Sequence, residues 1–230
     1  EALGAGADLL GGAPALDDHP DDAVDVLADI AANDGVGLDL HTDETLDPKA
    51  CGLSELANGV LAGFDQPVTA SHCVSLGQLP VDEQRAVADL VAEAGVNVIA
   101  LPHTNLFLQG RGACPVPRGL TAVAVLRQAG VNVAAGADNL QDPFNPVGRG
   151  CPFETAGLMI MSAHDLPSVA WSTVTDAARR TLGLAPVSVT AGAPADLMAV
   201  RATTIREAIA YGPAERRVWK RGVPIDETER

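Results

Sequence analysis

A chain of 230 residues, 47% hydrophobic but only 3% aromatic, can form one large domain, or a domain with a small appendage, around a core of Ala, Val and Leu. Its formal net charge of −15 repels phosphate backbones and anionic lipid, which excludes nucleic acid and membrane surfaces as expected partners. No apolar run approaches bilayer length, and no N-terminal stretch has the basic start and apolar centre of a signal peptide, so a cytoplasmic location is expected.

The opening "EALGAGADLL" has no initiator Met and reads as the tail of a helix entering a strand, so the sequence is expected to begin in the middle of a fold. A first short strand is predicted near 7–11, inside "GADLLGGAP". "DDAVDVLADIAANDG" (21–35) has apolar residues at helical spacing, an acidic first turn and a Gly stop. Strand-like "VGLDLH" (36–41) follows, then a helix over 53–63, strand-like "QPVTASH" (66–72), and an amphipathic helix over 82–95 that also ends in Gly. "VNVIALPH" (96–103) carries a strand, "GLTAVAVLRQAG" (119–130) a helix and "VNVAAGAD" (131–138) a fifth strand. Helical stretches over 153–165 and 168–183 close this series. Strands and helices alternate at roughly 30-residue spacing, that of βα units on a parallel sheet. The fold class is therefore α/β. From 192 to 225 the character changes to two short β-like runs, "DLMAV" and "RRVWKRG", around a polar middle. The expected organisation is a barrel-type unit over 1–190 and a small β segment over 191–230.

Cys51, Cys73, Cys114 and Cys151 lie far apart, which argues against a zinc knuckle or a redox dithiol and for reduced thiols. The histidines are more informative. "LDLHTDETLDP" (38–48) ends an apolar run in His41 and then crowds Asp43 and Glu44 behind it. Charges at the tip of a core element need a partner or a task. His72 ends the third strand, His103 follows the fourth and Asp138 follows the fifth. In a parallel barrel all C-terminal strand ends point to one face, which carries the active site. His and Asp gathered there suit zinc or ferrous iron. Each residue alone has a structural reading: a strand-end His is commonly a hydrogen-bonded framework residue, and Asp138 alone is a plausible cap. His19, in "LDDHPDD", reads as solvated surface, and His164, in "MSAHDLP", as a helix end or loop. His103 fits pocket lining and framework equally. The joint occurrence of His41, Glu44, His72 and Asp138 at one face is what singles them out.

"LDLHTDE", "VTASH", "NLFLQGRG", "RGLTAVAVLRQAGVNVAAGADNLQDPFNPVG" and "GAPADLMAV", in this order, resemble the cytosine deaminase branch of the amidohydrolase superfamily. The resemblance implies a (β/α)8 TIM barrel, of which this chain would hold about strands 4–8, with a small β-sandwich built from both termini. It implies one divalent metal ion, iron or zinc, with His41 and Asp138 as ligands. It makes Glu44 the proton shuttle, His72 the residue that assists the activated water, and Asp138 a base toward that water. Asn139 and Phe144 fall at substrate-binding positions, where the family typically has a second acidic residue and a Trp. Asp43 reads as a residue supporting the site from behind or as a loop cap, not as a catalyst, and Gln109 has no assigned role.

The implied reaction is deamination of cytosine or a related pyrimidine or triazine, a small-molecule heterocyclic substrate, with the full-length protein a homo-oligomer. The chain contains no His-x-His pair, which the family places after its first strand, and nothing matching strands one to three. Two alternatives therefore stay open. One is a non-catalytic fragment or pseudoenzyme. The other is an amidohydrolase that cleaves an exocyclic C–N bond of another heterocycle.

Overall fold

A computed structural model describes residues 2–225. Glu1, in the expected helix tail, and residues 226–230, in the expected C-terminal segment, lie outside the described residues. After a single turn at Leu3–Ala5 the chain forms β1 (Leu9–Gly12), α1 (Pro20–Asp34), β2 (Gly37–Thr42), α2 (Gly52–Leu61), β3 (Val68–His72), α3 (Val81–Ala94) and β4 (Asn97–Ala100). There follow α4 (Pro102–Leu108), α5 (Val123–Gln128), β5 (Val133–Ala135), α6 (Pro152–Ala163), α7 (Pro167–Thr173) and α8 (Asp176–Thr181). The last elements are β6 (Leu197–Val200), α9 (Ile205–Tyr211), β7 (Arg216–Lys220) and β8 (Val223–Ile225).

β1 to β5 form one sheet in chain order, every neighbouring pair parallel. Register decides what each face carries. Leu38 pairs with Val68, Leu40 with Ala70, Val98 with Val133 and Ala100 with Ala135. This row packs under the helices against Ala31, Leu56, Ala57, Ala88, Val91 and Leu126. Each fully buried Leu or Val there contributes roughly 1.5–3 kcal/mol relative to exposure. The opposite face pairs Asp39 with Thr69 and His41 with Ser71, a polar row. The helix stops act as the sequence indicates: Gly35 and Gly95 close α1 and α3 at φ 66° and 69°, the left-handed region that Gly enters without strain.

Three expectations are corrected. The helix expected over 119–130 is only Val123–Gln128. Gly119 sits at φ 71° against Gln109, and Leu120 and Thr121 are buried in irregular chain, so tertiary packing overrides a helical pattern there. The expected helix over 168–183 is two helices, α7 and α8, broken where the β-branched run Thr173, Val174, Thr175 ends and the Thr175 hydroxyl donates back to the Trp171 carbonyl. The polar middle of the C-terminal stretch holds α9, whose N-cap Thr204 accepts from the Glu207 N–H while Glu207 accepts from the Thr203 N–H. β6, β7 and β8 make a separate antiparallel sheet, one strand more than the two expected runs.

Among the described residues β1 and β5 each have a strand on one side only. Open edges pair with other chains, and apolar side chains such as Leu16 and Val26, 88% and 55% exposed near the β1 edge, favour the same outcome. Residues 1–230 expressed alone are therefore expected to self-associate despite their charge, and static light scattering checks this. A compact monomer with cooperative thermal unfolding would show that the edges are protected.

Candidate active site

Parallel strands bring their C-terminal ends to one edge, and there the chain assembles four of the singled-out residues. His41 belongs to β2, His72 ends β3, and Glu44 and Asp138 lie in the loops after β2 and β5. By strict alternation the His72 side chain would join Ala70 on the helix-facing side. Instead His72 has φ 68° and its ring nitrogen Nε2 lies 3.0 Å from Nδ1 of His41. Asp43, Cys73 and Asp138 also adopt positive φ, at 50°, 49° and 60°. Such backbone costs on the order of 1–3 kcal/mol per residue, and its clustering at one strand-end edge is typical of functional sites.

His72 is fully buried and is the hub. Its Nε2 is 3.9 Å from Asp138 Oδ2, and its Nδ1 lies 3.4 Å from Glu44 Oε1 and 2.9 Å from Asn105 Nδ2. Burial pushes its pKa down to about 4, the Asp138 carboxylate pulling the other way, so the imidazole is neutral near pH 7. Burial holds the Glu44 carboxyl above the ordinary range, and the charge of Asp138 pushes it further in the same direction. A carboxyl poised in this way can both give and take a proton.

Asp43 has a different task. Its two oxygens accept from the Gly52 and Leu53 N–H groups, each at 3.0 Å, so it caps α2 from nine and ten residues away. Its carbonyl accepts from Val74 N–H at 3.0 Å, tying the ends of β2 and β3 together. A Cβ at position 52 would lie 2.9 Å from the Asp43 carboxylate, which is why Gly stands there.

The donor atoms of His41, His72 and Asp138 all lie within 4.8 Å of one another. Imidazole and carboxylate at this separation fit a borderline divalent ion such as zinc or ferrous iron.

Other singled-out residues make their hydrogen bonds outside the histidine cluster. Asn139 Nδ2 donates to Asp142 Oδ2 and its carbonyl accepts from Asn145, so its side chain is engaged within its own loop. Phe144 is half exposed, with its N–H donated to Asp142. Neither makes a hydrogen bond or ring contact to the histidine cluster. His103 is buried on α4 with Nε2 3.5 Å from Glu154 Oε2, among Phe107, Pro146 and Phe153, in a cavity distinct from the cluster. His19 is exposed, and His164 closes α6 in the left-handed region beside Arg118.

Two residues at the site were not assigned from the sequence. Asn105 bridges His72 and Glu44, and Gln109 donates to the Glu44 carbonyl at 3.2 Å. The usable signal was the pair of amides four apart in "NLFLQ" directly after a strand, which puts both on one face of a helix.

A parallel sheet with helices on one face and a His, His, Asp and Glu constellation at its C-terminal edge is the layout of a metal-dependent hydrolase. The chain belongs to the amidohydrolase family, whose model matches residues 1–226. It is 36% identical over 225 residues to the pterin deaminase of Rhizobium rhizogenes, covering 95% of this chain and 51% of that protein. Among solved structures it resembles 5-methylcytosine deaminase from Klebsiella pneumoniae liganded with 5-fluorocytosine, with a TM-score of 0.88, 32% identity, and coverage of 99% of this chain and 58% of that one. It also resembles N-isopropylammelide isopropylaminohydrolase from Burkholderia multivorans, with a TM-score of 0.82, 35% identity, and coverage of 97% and 56%. The chain spans about half the length of the curated relative it matches at 36% identity.

Proposed function

We propose that the protein carrying this chain hydrolyses a C–N bond of a cyclic amidine and releases ammonia, with cytosine, a related pyrimidine or triazine, or a pterin as substrate. The observation that carries this reading is the convergence of His41, Glu44, His72 and Asp138 on one strand-end edge. The names of the relatives supply the substrate class.

When bound, one iron or zinc ion would supply an activated water and a positive charge. His41 and Asp138 would hold it. Glu44, within reach of His72 and partly buried, would carry a proton to the ring nitrogen next to the attacked carbon. Asp138 would accept the proton that the water gives up. His72, neutral and buried, would donate a hydrogen bond toward the developing charge. The new C–O bond then replaces the C–N bond, and the leaving nitrogen departs protonated as ammonia. Phe144 and Asn139 would approach the substrate from the loop after β5.

The reading extends to the architecture. The five-stranded sheet would be about strands 4–8 of a (β/α)8 barrel, residues 1–190, and the segment 191–230 would be part of a β-sandwich. It also places the protein in the cytoplasm as a homo-oligomer acting on a small molecule.

The match to N-isopropylammelide isopropylaminohydrolase favours a second reading, hydrolysis of an exocyclic C–N bond that releases an alkylamine. A substrate panel on the complete protein with added zinc or ferrous iron separates the two. Ammonia from cytosine, 5-methylcytosine or pterin is the expected result. Isopropylamine from N-isopropylammelide alone would favour the second reading, and no release from any of them would overturn both.

A further inference from the structure

We propose that Asn105 is a positioning residue. Its side-chain amide donates to Nδ1 of His72, fixes that imidazole as the Nε2–H tautomer, and so makes His72 face His41 and Asp138 as a hydrogen-bond donor and not as a third metal ligand. The consequence for metal binding rests on the function proposed above; the tautomer does not.

Asn105 is fully buried. Its Nδ2 lies 2.9 Å from His72 Nδ1 and 3.4 Å from Glu44 Oε1. An ionised carboxylate only accepts, so the end of the amide that sits between Glu44 and His72 is the NH2 group. Rotating the amide would set Oδ1 against the Glu44 oxygen. It would also bury the NH2 group where Oδ1 now lies, a position that offers no hydrogen-bond partner. A buried carbonyl without a partner is tolerated more often than an orphan N–H.

With Nδ1 accepting, the proton of the neutral ring is on Nε2. That nitrogen lies 3.0 Å from His41 Nδ1, and two imidazole nitrogens in such contact need one donor and one acceptor. His41 Nδ1 therefore accepts through its lone pair, which an ion could take over in place of that hydrogen bond, while His72 Nε2 presents none. By distance alone His41, His72 and Asp138 offer three donor atoms. The hydrogen-bond chain from Asn105 through His72 to His41 reduces them to two ligands, His41 and Asp138.

The platform for this control is α4. Pro102 starts the helix at its first position, the Asn105 N–H bonds the Leu101 carbonyl, and the Asn105 carbonyl accepts from Gln109 N–H at 2.9 Å. Gln109, one turn later on the same face, holds the Glu44 backbone while Asn105 holds its carboxyl.

The test is nitrogen NMR of 15N-histidine-labelled protein, without metal or substrate, with the His72 signals identified by their loss in His72→Gln. The expected result is a pyridine-type Nδ1 and a pyrrole-type Nε2. A pyrrole-type Nδ1 in the wild-type protein would overturn the assignment, whatever the variants do. Asn105→Asp is nearly isosteric but presents an acceptor, so it should move the His72 proton to Nδ1. An unchanged tautomer in this variant would also overturn the proposal. In the metal-loaded complete protein Asn105→Asp should lower kcat by about a hundredfold, the scale of a misplaced proton, with a much smaller effect on KM. Because the tautomer is read without turnover, an inactive protein with the expected tautomer would count against the function and leave this assignment in place.

Discussion

Glu44→Gln in the complete protein should retain its metal and lose turnover by at least about a hundredfold, the usual scale of acid–base catalysis. Gln keeps the size and polarity of Glu but carries no exchangeable carboxyl proton. The environment explains why the effect should be this large. Glu44 is partly buried, and the neighbouring Asp138 charge adds to desolvation in holding its carboxyl above the ordinary range. A carboxyl whose pKa is raised in this way holds a proton more readily, which suits it to deliver the proton that ring attack requires. Glu44 Oε1 is also 3.4 Å from both Nδ1 of His72 and Nδ2 of Asn105, so the amide of the variant would meet an NH2 group and an acceptor in the same places. The substitution therefore removes the proton while leaving the framework nearly intact. The measurement is steady-state turnover alongside metal content. Near-normal turnover with the metal retained would remove Glu44 from the mechanism.

His41→Ala and Asp138→Ala should each lower metal occupancy and abolish turnover in the complete protein. Two adjoining donors hold an ion far more weakly once one is gone, because the remaining group cannot close a coordination sphere. The neighbouring His72 should not rescue either variant, since its Nε2 carries the proton. Elemental analysis for iron and zinc on both variants is the check, and full occupancy in both would sink the ligand assignment. The chain has no His-x-His pair, so residues 1–230 alone are not expected to hold the ion tightly.

How far the fold was legible follows from which signals are local. The five parallel strands were readable because each is a short apolar run bounded by Gly or polar residues, with amphipathic helices between them. The α1 and α3 stops were readable because Gly at a left-handed position is a local requirement. The shortened α5 was not: residues 119–122 carry a helical pattern, but Gly119 is packed against Gln109, more than a turn of chain away in another element. The break between α7 and α8 had a local cause, a β-branched run, that the apolar periodicity masked.

At the site the same division holds. Residue types and strand-end positions singled out His41, Glu44, His72 and Asp138, because titratable groups at the tips of apolar runs are chemically conspicuous in one dimension. The sequence marked Asp43 as a supporting residue or a loop cap and not a catalyst, and its bonds to Gly52 and Leu53 N–H show that it caps α2. What only the tertiary structure decided is direction. The left-handed backbone at His72 turns its ring out of the alternation of β3 and onto His41, and Asn105, 33 residues later, meets its other nitrogen. Backbone reversals and hydrogen-bond partners of that kind depend on three-dimensional neighbours, which strand and helix periods do not encode. The sequence therefore determined which groups gather at the edge, and the folded chain determined which atoms of those groups face one another.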